Sequence, residues 1–142
     1  MSKNATVYIG LGSNLGQPQQ QITQCLTKIH QHGGIEVTRR SGIVQSSPLA
    51  GMNQPDYCNA VCQITTALEP LALLDELQTL EREFGREKNK PRWSARLIDL
   101  DILLYDSLVL KTKRLTLPHP GMLERDFVLF PLAEIAPDLV LP

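Results

Sequence analysis

The hydrophobic positions of the chain switch between the two-residue period of a strand and the longer period of a helix. Alternation over residues 6–11 predicts a first strand. A helix is predicted to begin near Pro18, since proline suits the first helical position, and to end at Gly33 and Gly34. Its predicted buried face comprises four apolar residues at helical spacing: Ile22, Cys25, Leu26 and Ile29.

The same two periods continue through the middle of the chain. Long strands are predicted at residues 35–46 and 57–66, and the strongest strand pattern covers residues 97–105. Before that last strand, Pro70 opens a second helix that ends at Gly85. The apolar face of this helix is Leu73, Leu77, Leu80 and Phe84.

The predicted order is strand, helix, strand, strand, helix, strand. This order indicates an α+β fold of the ferredoxin-like split β-α-β type, with both helices packed on one face of an antiparallel sheet. The Asp106-Ser107 turn is expected to lead to a short partner strand at 108–110, and residues 118–142 to form short helices with turns. Residues 1–142 are expected to form a single domain.

Two loops stand out because they are longer than ordinary connections. Residues 47–56 and 86–96 are rich in loop-forming or basic residues, and long ordered loops are more often functional than short ones. The second loop carries the only tryptophan, Trp93.

Composition favours an ordinary cytoplasmic protein. Hydrophobic residues make up 42% of the 142 positions, and no apolar run approaches the roughly 20 residues that cross a bilayer. The polar start of the chain does not resemble a signal peptide. Three cysteines without Cys-x-x-Cys spacing predict buried thiols rather than a disulfide or a zinc site: Cys25, Cys58 and Cys62.

Charge is balanced overall but clustered locally. The net charge of -1 argues against extended nucleic-acid binding. Two basic clusters nevertheless predict a small, strongly anionic ligand. They contain Arg86, Lys88, Lys90, Arg92 and Arg96 in the first, and Lys111, Lys113, Arg114 and Arg125 in the second.

The strand at 97–105 carries two aspartates two residues apart. Asp99 and Asp101 share one face, roughly 6.6 Å apart, and would repel by roughly 2.5 kcal/mol at an effective dielectric of about 20. One interpretation is a solvent-facing strand surface near a sheet edge. The other is a magnesium site, because carboxylates hold this ion together with substrate phosphates. Arg96, just upstream, suits phosphate oxygens.

The glycines at positions 10, 12 and 16 resemble a nucleotide-binding turn only superficially. Their spacing does not fit the dinucleotide fingerprint, and no Gly-Lys-Ser/Thr ending marks a P-loop. A tight turn that leads into the first helix is predicted, and a supporting role near phosphates stays open.

Histidines and aromatic residues add further candidates. His30 and His32 are expected to be structural, whereas His119 lies between two prolines and suits either a structural or a ligand-binding role. Tyr57 could stack on a planar heterocycle whose edge Asn59 reads. Trp93 lies in a loop, and Phe127 could equally belong to the core.

These motifs together resemble the 6-hydroxymethyl-7,8-dihydropterin pyrophosphokinase family over nearly the whole chain. The most specific stretch is residues 92–103, Arg-Trp-Ser-Ala-Arg-Leu-Ile-Asp-Leu-Asp-Ile-Leu. Supporting stretches are residues 12–16, residues 54–57 with Asn59, residues 115–120 and residues 134–137. The resemblance implies transfer of a diphosphate from ATP to the pterin alcohol in folate synthesis.

The resemblance also implies roles for individual residues at the ATP site. Asp99 and Asp101 would hold two magnesium ions that bridge the triphosphate, and Arg86, Lys88 and Arg96 would neutralise charge on the transferred group. Lys88 stands where the family often has a second loop arginine. Residues that would line the ATP site are Gln78, Glu81, Arg86, Arg96, Ile102, Arg114, Thr116, His119 and Arg125.

The pterin would lie in a neighbouring site. Tyr57 and Phe127 would enclose its ring, and Trp93 would close over it. Asn59 and backbone groups around three further residues would read its edge: Ser46, Ser47 and Leu49. The protein is expected to be a monomer. Two alternatives stay open, namely a kinase that transfers one phosphoryl group and a ferredoxin-like nucleotide-binding module.

Overall fold

The structure is a computed structural model that describes residues 4–13, 17–46, 57–84 and 98–142. Its helices are α1 (Pro18–Gln31), α2 (Pro70–Phe84) and α3 (Asp126–Ile135), with a 3₁₀ turn at Met122–Glu124. The strands are β1 (Ala5–Ser13), β2 (Ile35–Arg40), β3 (Val44–Ser46), β4 (Tyr57–Thr66), β5 (Asp99–Tyr105), β6 (Leu110–Lys111) and β7 (Thr116–Leu117).

The main sheet is antiparallel and has the order β2-β4-β1-β5, with β3 pairing the remaining length of β4 beyond β2. The long β4 and β1 strands form its centre, pairing from Ala5↔Thr66 to Ser13↔Cys58. Mixed helices and an antiparallel sheet confirm the predicted α+β class. The strand order is that of the split β-α-β arrangement.

Helices cover both faces of the sheet. α1 and α2 bury their predicted apolar faces on one side, where Ile22 and Leu77 pack with Ile9 in one hydrophobic cluster. The opposite face is covered by α3, whose Val128 and Leu132 pack with other sheet residues. The 3₁₀ turn and α3 agree with the short helices predicted for residues 118–142, but the packing of α3 on the second face of the sheet was not predicted.

Three predicted features were wrong in detail. The strand at 35–46 is interrupted at the buried Ser41, whose amide donates to the Val61 carbonyl at 2.8 Å and whose hydroxyl accepts from the Val61 amide at 2.9 Å. Gly10 and Gly12 lie within β1 instead of a turn, because they pair with β4 and β5. The segment after the Asp106 turn pairs with Thr116 and Leu117, as β6 and β7, and not with β5.

Two backbone amides of β2 donate hydrogen bonds to residues at the end of α1. His30 Nδ1 accepts a hydrogen bond from the Val37 amide at 3.2 Å, and the His32 carbonyl accepts one from Ile35 at 3.2 Å. Both histidines therefore have local structural contacts, as predicted, and the His32 ring also lies 3.1 Å from the Glu76 carboxylate. Within the described ranges, no helix is long and apolar enough to cross a membrane.

Candidate functional site

A cavity of about 350 Å³ runs along the outer side of β5, between α2 and the β6–β7 hairpin. Polar and charged side chains from all three elements face it. It brings together eight predicted site residues: Gln78, Glu81, Asp99, Asp101, Ile102, Arg114, Thr116 and His119.

The two aspartates project from β5 at the border of this cavity. Asp99 and Asp101 are exposed, while the intervening Leu100 is buried, as the alternation of a strand requires. β5 lies at the end of the sheet among the described strands. The structure is therefore compatible with both interpretations of the pair, because the aspartates lie on an edge strand, as a solvent-facing surface would, and also line a cavity that could hold magnesium.

Glu81 joins α2 to this strand. Its carboxylate accepts a hydrogen bond of 2.9 Å from the backbone amide of Leu100. The acceptor is a carboxylate, so this contact is of the stronger, charge-assisted kind. It fixes the strand at the residue that separates the aspartates.

His119 lines the same cavity from the segment that follows β7. Its backbone amide donates to the Leu103 carbonyl at 2.9 Å, which ties the residue to β5. Its Nδ1 accepts from the Gly121 amide, so the neutral ring carries its proton on Nε2. Nε2 lies 3.9 Å from the Asp101 carboxylate. The imidazole is therefore oriented toward the aspartate pair.

The hairpin supplies positive charge on the side facing α2. Arg114 forms a salt bridge of 2.6 Å with Asp75 and donates a hydrogen bond of 3.2 Å to Gln78. Asp75 was not among the predicted site residues, because neither its spacing nor its neighbours distinguish it from other exposed helix residues.

One row of paired residues connects the aspartates to the opposite part of the site. Gly12 pairs with Asp99 on one side and with Asn59 on the other, so the three share a face of the sheet. Two strand spacings separate Asp99 from Asn59, which is about 10 Å. A Cβ at Gly12 would lie 2.9 Å from the Asn59 side-chain oxygen. The glycine therefore leaves room for the Asn59 carboxamide.

The aromatic candidates lie on the same face. Tyr57 is two residues before Asn59 in β4 and is 39% exposed. Phe127 is in the first turn of α3, partly buried against the α3-side cluster, with the Arg125 guanidinium 5.9 Å from its ring centre. Arg125 does not line the cavity along β5, and its guanidinium lies beside Gly121.

The donor set suits magnesium bound together with phosphates. Among the described residues, no group of three or more His, Cys, Asp or Glu side chains could hold a metal ion. The two exposed carboxylates of Asp99 and Asp101 match an ion that takes one or two protein carboxylates and fills its other positions with water and phosphate oxygens. The residues therefore fit magnesium that arrives with a nucleotide.

Several predicted site residues lie outside the described residues: Ser47, Leu49, Arg86, Lys88, Trp93 and Arg96. Ser46 ends β3, where it pairs with Tyr57. The cavity also includes residues that were not predicted as site residues: Leu74, Leu100, Lys113, Leu115 and Pro120. Of these, Lys113 had a sequence signal, since it belongs to the second basic cluster.

Comparison with known proteins agrees with this geometry. The 7,8-dihydro-6-hydroxymethylpterin-pyrophosphokinase family model matches residues 8–137. The 2-amino-4-hydroxy-6-hydroxymethyldihydropteridine pyrophosphokinase of Haemophilus influenzae is 50% identical over 137 residues, which cover 96% of this chain and 85% of that protein. The Pseudomonas aeruginosa protein of the same name is 44% identical over 136 residues, which cover 96% and 83%.

A longer relative shows the same similarity over part of its length. The folic acid synthesis protein fol1 of Schizosaccharomyces pombe is 41% identical over 141 residues, which are 99% of this chain and 19% of that protein. The match of the family model over most of the chain, together with these identities, shows that the chain belongs to the 7,8-dihydro-6-hydroxymethylpterin-pyrophosphokinase family.

Proposed function

We propose that this chain transfers a diphosphate from ATP to 6-hydroxymethyl-7,8-dihydropterin, which yields AMP and the pterin diphosphate in folate synthesis. The observation that carries the proposal is the position of Asp99 and Asp101. They line a polar cavity and also share a face of the sheet with Asn59 and Tyr57. Two substrates that must react with each other would meet at these aspartates.

In the reaction, the hydroxymethyl oxygen of the pterin attacks the β-phosphorus of ATP. A bond forms between this oxygen and phosphorus, the bond from the β-phosphorus to the bridging oxygen of AMP breaks, and the hydroxyl proton is lost to solvent. Catalysis of such a transfer depends mainly on positioning and on charge stabilisation. The protein therefore needs rigid contacts to both substrates more than it needs a nucleophile of its own.

The described residues divide this work between two neighbouring sites. Gln78, Arg114, Thr116 and His119 line the cavity that would receive ATP. Asn59 would read the edge of the pterin, and Tyr57 and Phe127 would enclose its ring. Arg125, which precedes α3, would reach the nucleotide from outside the cavity. The remaining proposed residues lie outside the described ranges. Charge on the transferred group would be neutralised by Arg86, Lys88 and Arg96, and the pterin would be contacted by Ser47, Leu49 and Trp93.

Asp99 and Asp101 would hold two magnesium ions. When bound, these ions neutralise phosphate charge and align the triphosphate. Glu81 fixes the strand between their two ligands, and His119 supplies a donor beside Asp101. We further propose that residues 1–142 act as one domain, as a monomer in the cytoplasm.

The test is product analysis with ATP, magnesium and 6-hydroxymethyl-7,8-dihydropterin. Equal amounts of AMP and pterin diphosphate are expected. ADP and a pterin monophosphate would identify a single-phosphoryl kinase, and nucleotide binding without any product would identify a binding module. Either of these outcomes would overturn the proposal.

A further inference from the structure

The turn between β6 and β7 is held rigidly. The Thr112 amide donates to the Leu115 carbonyl at 2.9 Å, and the Thr112 hydroxyl both donates to that carbonyl and accepts from the Leu115 amide at 3.0 Å. Leu115 is buried in the core. The two central residues, Lys113 and Arg114, are therefore presented at a fixed place on the cavity wall.

The two cations of this turn differ in how they are neutralised. Arg114 is paired with Asp75 at 2.6 Å and is also bonded to Gln78. Lys113 lines the same cavity, and it makes no salt bridge or hydrogen bond with any residue in the described part of the chain. Of the two cations in this turn, Lys113 is therefore the one whose positive charge is available to a ligand in the cavity.

The remaining charges of the cavity favour an anion that carries its own cation. The Glu81 carboxylate is hydrogen-bonded to the β5 backbone, and Asp99 and Asp101 line the same cavity. A bare anion would be repelled by these carboxylates, whereas a magnesium-bound polyphosphate presents positive charge to them and phosphate oxygens elsewhere. A neutral pterin would gain little from an ammonium group.

We infer that Lys113 is a further substrate-binding residue of this enzyme, which contacts the phosphate chain of magnesium-bound ATP. This inference rests on the proposed function, since it places ATP in the cavity. The long, flexible stem of lysine suits a phosphate chain whose position changes during transfer, because the ammonium acts as a point charge without fixed geometry. The Arg114 guanidinium, in contrast, is held against α2 by Asp75 and Gln78.

The experiment compares Lys113→Gln with Lys111→Gln in the full chain. Lys111 is an exposed lysine of β6 that does not line the cavity, so it controls for the loss of one positive charge. Calorimetry with magnesium measures the Kd for ATP and for AMP, and circular dichroism checks folding. For Lys113→Gln we expect a Kd for ATP about tenfold higher, a smaller change for AMP, and recovery to within about threefold in Lys113→Arg. Lys111→Gln is expected to stay within about twofold of the parent.

A Kd for ATP that is the same in Lys113→Gln and Lys111→Gln would overturn the inference. Equal losses for ATP and AMP, without recovery in Lys113→Arg, would also overturn it, because they indicate a packing role. Product analysis of the parent protein separates this inference from the proposed function. AMP formation without dependence on Lys113 refutes only the inference, whereas Lys113-dependent ATP binding without AMP formation refutes only the function.

Discussion

The carboxylate of Glu81 accepts a hydrogen bond of 2.9 Å from the backbone amide of Leu100, the one residue that separates Asp99 from Asp101. A side chain of α2 thus determines where the two carboxylates of β5 lie. The contact requires that the helix and the strand be packed together, as the burial of Leu77 and Leu100 in one core shows. The core therefore determines the geometry of the site.

Removal of this contact should impair catalysis more than folding. In Glu81→Ala we expect kcat to fall about tenfold to hundredfold and the magnesium requirement to rise, as when a residue that supports metal ligands is lost. Glu81→Gln keeps an acceptor oxygen and should lose less. The measurements are AMP formation over a magnesium series and the free energy of unfolding.

Glu83→Gln is the matched control for Glu81, because this neighbouring acidic residue of α2 is exposed and does not line the cavity. An unchanged magnesium dependence in Glu81→Ala would contradict the positioning role.

Loss of one carboxylate of the pair should abolish transfer. For Asp101→Asn we expect kcat to fall more than about hundredfold, because stabilisation of the charge on the transferring group is lost. The side chain is 50% exposed, so the free energy of unfolding should change little. Asp138→Asn, at an exposed position away from the cavity, should behave as the parent. Retained transfer by a folded Asp101→Asn protein would refute the metal assignment.

The glycines of β1 give a test of the pterin site. In Gly12→Ala the new methyl group would lie 2.9 Å from the Asn59 side-chain oxygen, which real Cβ atoms do not tolerate. We expect displacement of the Asn59 carboxamide and a KM for the pterin about tenfold higher, with the KM for ATP changed less.

Gly10→Ala is the control on the same strand, because its methyl group would meet only the Leu103 side chain at an ordinary 3.5 Å. Equal effects of the two variants on the pterin KM would show that Asn59 does not read the pterin.

The buried thiols should make the fold sensitive to alkaline pH. Burial raises the pKa of Cys62 and, with a smaller contribution from Glu81, that of Cys25 from 9.0 to about 12. Unfolded thiols ionise above pH 9 while the folded ones stay protonated, so stability is present below pH 9 and is lost as the pH rises toward 12. Between pH 8 and pH 10 we expect a loss of about 1 kcal/mol per thiol in the free energy of unfolding.

Urea unfolding of the parent and of a Cys25→Ala, Cys62→Ala double variant at both pH values measures this loss. The double variant should show the smaller decrease. Equal decreases would mean that these thiols do not contribute to the pH dependence.

Local periodicity was sufficient to predict the elements with a continuous pattern. The apolar residues of α1 and α2 recur at helical spacing and are buried as expected, except that Phe84 is only partly buried. The bounds of β4 are those that were predicted. The register between strands has no such local signal. It alone places Gly12 between Asn59 and Asp99, so the position of this glycine within a strand could not be predicted from the sequence.

The shortest elements were predicted least well for the same reason. Two-residue strands such as β6 and β7 are too short to show alternation, and their pairing depends on the Thr112–Leu115 turn. The salt bridge between Asp75 and Arg114 joins residues 39 positions apart. The aspartate pair could be found from the sequence because both members lie in one strand, whereas Asp75 could not.

The bond from Glu81 to Leu100 also bears on association between copies of the chain. An edge strand with unpaired amides and carbonyls can recruit a strand from another molecule and so begin aggregation. On β5, Glu81 occupies the Leu100 amide and the His119 amide occupies the Leu103 carbonyl. Selection for solubility and selection for catalysis would therefore act on the same contacts, and the Glu81→Ala variant is also expected to lose protection of this edge.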